Sequence, residues 1–228
     1  MSNPALQRFK DIHSGEQCVI VCNGPSLNCM DLSFLRRETV FGLNKIFLGF
    51  SKFGFYPDYL VAVNDKVIEQ SVAQLRDITA VKFVPWRSKH LLPPDAFTYH
   101  IKTRGVSERF TKDIAQGLHE GYTVTHVALQ IAYYMGFSRV IIIGMDHQFS
   151  FSGQPNSELF LDSDDPNHFS PNYFRGNKWD APDLVESEIS YRAARAAFEM
   201  DGRQIINATK GGACEVFRRE DYRKIFGP

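Results

Sequence analysis

No apolar run in the sequence approaches the about 20 residues that a membrane-spanning helix requires, so no membrane span is expected. Net charge is absent as well. The 26 Lys and Arg balance 26 Asp and Glu, which leaves no global field to draw the chain to nucleic acid or to an anionic membrane. The N-terminal stretch MSNPALQRFKDIHSGEQ lacks the basic-then-apolar layout of a secretory signal, and the expected location is the cytoplasm. Cysteine is scarce. Cys18, Cys22, Cys29 and Cys214 form no C-x-x-C pair and have no matching histidine pair, so they are expected to pack as thiols rather than to bind zinc, and no metal site is predicted. Neither G-x-G-x-x-G nor a phosphate-binding P-loop occurs, and there is no internal repeat or low-complexity tract. Asn207-Ala208-Thr209 fits a glycosylation acceptor, which without a secretory context reads as an accident of sequence.

What is present is a core-forming composition: 228 residues, 43% hydrophobic and 13% aromatic, enough for one sizeable core and read as a single domain over 1–228. Short apolar runs closed by polar or turn residues predict strands at 18–22, 39–43, 59–63, 81–84, 139–143 and 203–207. Helical spacing predicts helices at 3–13, 123–135 and 183–200, with a short C-terminal one. Strands alternating with helices imply an α/β fold, a Rossmann-like, mostly parallel sheet with helices on both faces. Residues 147–182 break the alternation. They carry no sustained period but many turn formers and aromatic rings, the profile of an irregular lid or binding loop.

Ligands of open parallel sheets bind beyond the carboxyl ends of the strands, so the residues that follow each apolar run are the candidates. The first run ends in Asn23-Gly24-Pro25-Ser26, the second in Asn44, the third in Asn64-Asp65, and the run at 139–143 in Gly144, Asp146 and His147. Gly24 would let the backbone approach a ligand, Pro25 fixes φ, and Ser26 is suited to cap a helix whose free N–H groups attract phosphate. Thr123 or Thr125 is the expected cap of the next strong helix, a second anion cradle. These residues are read as a nucleotide site.

His168, in Asp165-Pro166-Asn167-His168-Phe169, is the candidate general base, because an imidazole titrates near neutrality, about 6.5. His147 is its competitor. His13, His90, His100, His119 and His126 carry no surrounding signal. Asp162, Asp164 and Asp165 are hard oxygen donors of the kind magnesium takes, but with no glycine where a calcium loop needs its turn they read as a solvated acidic loop. Arg175, Lys178 and Lys210 are cations able to offset phosphate charge. The helix at 183–200 places Tyr191, Ala194 and Phe198 on one core-facing stripe.

The segments VIVCNGPSL, FGLNKIF, PDYLVAVND, GYTVTHVALQIAYYMGFSRVIIIGMDHQF, DDPNHFSPNYF and DGRQIINATKGGACEVFRREDY together resemble the 6-hydroxymethylpterin diphosphokinase MptE-like family. The chain is more remotely similar to bacterial sialyltransferases that use CMP-sialic acid. That similarity implies that Asn23, Gly24, Ser26 and Asn44 hold the nucleotide, that a lid histidine, His168, is the base, and that no metal is needed. The tyrosines that hold donor phosphate in those enzymes are unmatched here, with Tyr173 the substitute on offer. Three functions follow as expectations. The first is a glycosyltransferase using a nucleotide-activated, CMP-linked acidic sugar in surface glycan synthesis, with a glycan or small-molecule acceptor. The second is a diphosphokinase transferring pyrophosphate from ATP to a hydroxymethylpterin-type hydroxyl, with magnesium bridging the phosphates and carboxylates such as Asp65 and Asp146 near them. The third is a non-catalytic nucleotide-binding module.

Overall fold

A computed structural model describes residues 3–227. Its strands are β1 (Gln17–Val21), β2 (Thr39–Leu43), β3 (Tyr59–Val61), β4 (Val81–Pro85), β5 (Thr98–Ile101), β6 (Arg139–Ile143), β7 (Glu158–Leu161), β8 (Asn177–Asp180), β9 (Gln204–Asn207) and β10 (Arg218–Arg219). The α-helices are α1 (Pro4–Gln7), α2 (Phe50–Phe53), α3 (Asp65–Gln70), α4 (Val72–Asp77), α5 (Val124–Tyr134), α6 (Leu184–Met200) and α7 (Tyr222–Phe226). Eight strands pair in the order β10-β9-β6-β1-β2-β3-β4-β5, every neighbour parallel. The chain runs outward from β1 to β5, then returns to place β6 on the other side of β1. Strand order therefore reverses at β1, where an open sheet forms its ligand crevice.

Why these runs are strands is visible in their burial. Cys18 and Ile20 face a cluster with Phe41, Phe137 and the helices α5 and α6, while Val19 and Val21 face a second cluster with Val40, Leu60 and Ile143. A strand buried on both faces has no polar side, hence the continuous apolar runs. α5 is the central helix of the first layer and is buried at every residue from Thr125 to Tyr134. Gly136 ends its layer at φ +94, and a Cβ there would press to 3.0 Å on the backbone of Ser14. Cys18, Cys22 and Cys214 are buried free thiols, as expected of packing cysteines. Asn207 is wholly buried with its Nδ2 donating to the Cys214 carbonyl, in keeping with an accidental acceptor motif. Among the described residues no helix is long and apolar enough to cross a membrane.

Three expectations need correction. The first helix covers only Pro4–Gln7, because Asn3 caps it but the following residues fold into turns up to Gly15. Strand β5 was not predicted, and its polar Thr98 and His100 are buried. The segment 147–182 is neither strandless nor loose. β7 and β8 pair antiparallel within it, and Phe169, Tyr173, Phe174 and Trp179 are buried in the second core cluster. These rings pack against one another, as in the stacked Phe174–Trp179 pair at 5.6 Å.

Candidate active site

Parallel register brings the ends of β1, β2 and β6 level. Val21 pairs with both Gly42 and Ile143, so the residues that follow them emerge side by side. They open on a cleft of about 540 Å³. Of the sequence-predicted residues, Asn23, Gly24, Asn44, Asn64, Thr123, Thr125, Asp146, His147, His168 and Tyr173 border it. Pro25, Ser26 and Asp65 do not. Five described non-glycine residues have positive φ, and four of them, Asn44, Tyr122, His147 and Asn156, border this cleft. Strained backbone of this kind gathers where a site is held in a set shape.

The turn after β1 corrects its expected role. Pro25 opens a short 3₁₀ turn, Pro25–Cys29, and Ser26 does not cap it. Instead the Ser26 N–H and hydroxyl donate to the carboxylate of Asp146, at 3.1 and 2.6 Å. The turn already has its anion, and Asp146 is it. Gly24 is required for the same reason: a Cβ there would overlap the Asp146 carboxylate and come 2.7 Å from the Gly144 carbonyl oxygen. The close approach is to Asp146, not to a ligand. Burial raises the pKa of Asp146 against the lowering effect of the Ser26 donors.

Two amides face the cleft with acceptors to spare. Asn23 Nδ2 donates to the Leu43 carbonyl at 3.1 Å, which fixes the amide and leaves Oδ1 unpaired. Asn44 Oδ1, on the next strand end, is also buried and unpaired. Orphaned buried acceptors are costly, and a ligand's N–H or O–H groups would satisfy them. Asn64, by contrast, is spent: its Oδ1 caps α3 at Val67 N and its Nδ2 faces Asp180. Asp65 turns away to pair with Arg87 at 2.7 Å. Thr123, not Thr125, caps α5, its hydroxyl accepting from Thr125 N at 3.3 Å. The start of that helix opens on the cleft.

The opposite wall carries His168. Its Nδ1 lies 2.8 Å from Oδ2 of Asp165, whose side chain is only 1% exposed, and Asp165 Oδ1 accepts from Asn167 N at 2.9 Å. Asp165 is therefore a buried partner, which corrects its assignment to a solvated loop; Asp162 and Asp164 are exposed as expected. An ionised carboxylate only accepts, so Nδ1 carries the proton and Nε2 is left as a lone-pair base without a partner among the described residues. The ring stacks on Tyr173 at 3.9 Å, with 4° between planes.

Tyr173 is itself buried. Its hydroxyl accepts from Lys45 N at 3.2 Å, and Lys45 Nζ donates to the Tyr173 carbonyl at 2.9 Å and to Gln70 at 2.7 Å. So Tyr173 supports His168, and its hydroxyl, the substitute phosphate-holding group offered from sequence, already accepts from Lys45 N. Burial lowers the Lys45 pKa to about 8, opposed by the charge of Asp165. The wall is clamped further by Phe169 N–H to the Asn23 carbonyl (2.9 Å), Asn28 Nδ2 to the Phe169 carbonyl (2.9 Å) and Lys66 to Asp180 (2.6 Å).

Among the described residues neither lysine nor arginine borders the cleft, whereas Glu120, Asp146, Asp180 and Asp183 do. The cations picked out from sequence are engaged elsewhere: Arg175 with Asp164, Lys178 with Glu158, and Lys210 with the Cys29 carbonyl. A magnesium ion finds no ready donor set, since no three described His, Cys, Asp or Glu side chains group as ligands. Asp146 is taken by Ser26 and Asp65 by Arg87, so the two carboxylates suggested for that ion do not converge. Sequence reasoning missed Lys45 altogether and Asp165 as the partner of His168. The i, i+3 spacing of Asp165 and His168 was the one signal on offer.

The sequence profile of the 6-hydroxymethylpterin diphosphokinase MptE-like family matches residues 1–151, a span that ends before Asp165 and His168. No curated protein sequence matches. Among solved structures, the MAf glycosyltransferase from Magnetospirillum magneticum AMB-1 is similar, with a TM-score of 0.59 and 15% identity. The likeness covers 96% of this chain, which spans 37% of that protein's chain. At that identity it is a likeness of fold.

Proposed function

The chain belongs to the 6-hydroxymethylpterin diphosphokinase MptE-like family, and from that premise and the cleft we propose that it is a glycosyltransferase. Its donor in this reading is a nucleotide-activated sugar, CMP-linked and acidic, and its acceptor a glycan or small-molecule hydroxyl in the cytoplasm. The observation that carries the reading is the Asp165–His168 pair, a base with a defined tautomer, in one cleft with the unpaired amide oxygens of Asn23 and Asn44. The acceptor oxygen attacks the anomeric carbon, the bond to phosphate breaks with its electron pair on the phosphate oxygen, and His168 Nε2 takes the hydroxyl proton. The fold shared with the MAf glycosyltransferase supports a transferase of this class.

The family description favours the diphosphokinase reading, but the charges of the cleft disfavour it. Of the four bordering carboxylates Glu120 is paired with Arg87 and Asp180 with Lys66, and the other two, Asp146 and Asp183, have no Lys or Arg beside them in the cleft. They repel a triphosphate more strongly than a nucleoside monophosphate ester, even one that carries the second charge of an acidic sugar. Glycosyl transfer from such an ester asks for no metal ion. Titrations with CMP, CTP, ATP and GTP, each with magnesium and with a chelator, test the choice. CMP binding that survives the chelator is expected. Metal-dependent binding of ATP or GTP with no response to CMP would transfer the assignment to the diphosphokinase, and nucleotide binding without turnover of any donor would leave a binding module.

A further inference from the structure

We infer that His147, paired with Glu188, takes up a proton as the nucleotide binds and thereby supplies the positive charge opposite its phosphate, a step that rests on the transferase reading above. An anionic ligand needs a counter-charge, and no fixed cation borders the cleft. Only two bordering side chains can acquire one, His147 and His168. His168 is the general base of the transfer above, a role that needs its Nε2 free to take the acceptor's proton.

His147 is built differently. It follows the end of β6 at φ +52, a conformation that turns its side chain inward to 6% exposure. Its Nε2 stands 3.4 Å from Glu188 Oε1, an ion-pair separation, yet makes no hydrogen bond. Its Nδ1 has no partner among the described residues. The charged and titratable groups around it are Asp146 before it in the chain, Glu188, Tyr191 and Arg192 from α6, Cys214 near Glu188, and His168 and Asp183 across the cleft. Arg192 draws half of the Glu188 carboxylate away, at 2.8 Å. Burial lowers the His147 pKa and Glu188 opposes it without prevailing, so Glu188 alone does not favour a proton on this ring. A second anion beside it tips that balance.

In the transfer step the imidazolium places one N–H toward Glu188 and the other toward the phosphate. As the bond from anomeric carbon to phosphate oxygen breaks, the electron pair on that oxygen is met by the His147 proton, while His168 receives the proton of the acceptor. Exchange with solvent then restores both rings.

The test uses the methyl esters of the four nucleoside 5′-monophosphates, whose phosphodiester keeps a single charge throughout, so that any pH dependence belongs to the protein. Calorimetry in buffers of different ionisation enthalpy should show uptake of about one proton, and affinity falling by up to roughly tenfold per pH unit above neutrality. His147→Gln should abolish both effects, Glu188→Gln should move them to lower pH, and His168→Gln should leave them in place. Tight binding with no proton uptake overturns this inference and leaves the nucleotide cleft standing, as does uptake that persists in His147→Gln. Failure of every ester to bind at any pH overturns the transferase reading and this inference with it. Should His147→Gln not fold, the shift in Glu188→Gln decides alone.

Discussion

Replacing Asp165 by asparagine removes one negative charge and leaves the shape of the wall intact. The asparagine Oδ1 must still accept from Asn167 N, which turns its Nδ2 toward His168 Nδ1. A donor facing Nδ1 forces the ring proton onto Nε2, and the base is lost. A hydrogen bond to a charged group contributes about 1.5–3 kcal/mol, or roughly 10- to 150-fold in rate. Complete loss of a general base costs about 10²- to 10⁴-fold, the range expected for His168→Ala. Asp165→Asn should therefore lower turnover by at least roughly tenfold and at most to the level of His168→Ala, with nucleotide affinity nearly unchanged. The assay is nucleotide release from a sugar donor in the presence of acceptor, alongside ¹⁵N spectra of the histidine rings. Those spectra should place the His168 proton on Nδ1 in the wild type and on Nε2 in the variant. A wild-type ring protonated on Nε2, or a variant of full activity, would refute the reasoning.

Two further substitutions probe the turn after β1. Gly24→Ala should destabilise the fold by about 2–4 kcal/mol in urea denaturation, since its Cβ must displace the Asp146 carboxylate from both Ser26 donors; unchanged stability would mean that Gly24 does not pack on that group. Asp146 binds its proton more tightly in the folded chain than in the unfolded one, so its contribution is greatest in acid and is lost as pH rises through the folded value. Asp146→Asn should accordingly flatten stability against pH just above the ordinary carboxylate range, and a difference curve without slope there contradicts the assignment.

The strand ends were legible because parallel strands buried on both faces print as apolar runs, and whatever polar residue follows must stand at the rim. Asn23, Asn44 and Asp146 were found in this way. Gly24 shows where such reading stops: a glycine announces that something approaches closely without saying what, and here it is a side chain 122 positions away. Asp165 was misread because a carboxylate in a run of aspartates looks solvated, and only the packed wall around it reveals that it is buried. The aromatic content of 147–182 was equally ambiguous, since rings that fill a core and rings that await a ligand are written with the same letters.

Asn28, Lys45 and Lys66, which follow β1, β2 and β3 in the chain, each hold the His168 wall through a hydrogen bond, to Phe169, Tyr173 and Asp180 respectively. A proton acceptor anchored in this way cannot travel to meet its partner; the incoming hydroxyl has to be delivered to it. Under the proposed reading, selection among acceptors then falls to the facing rim, where Val106 and Tyr122 stand exposed. Relatives could change clientele by redrawing that rim alone, with the chemistry left untouched behind it.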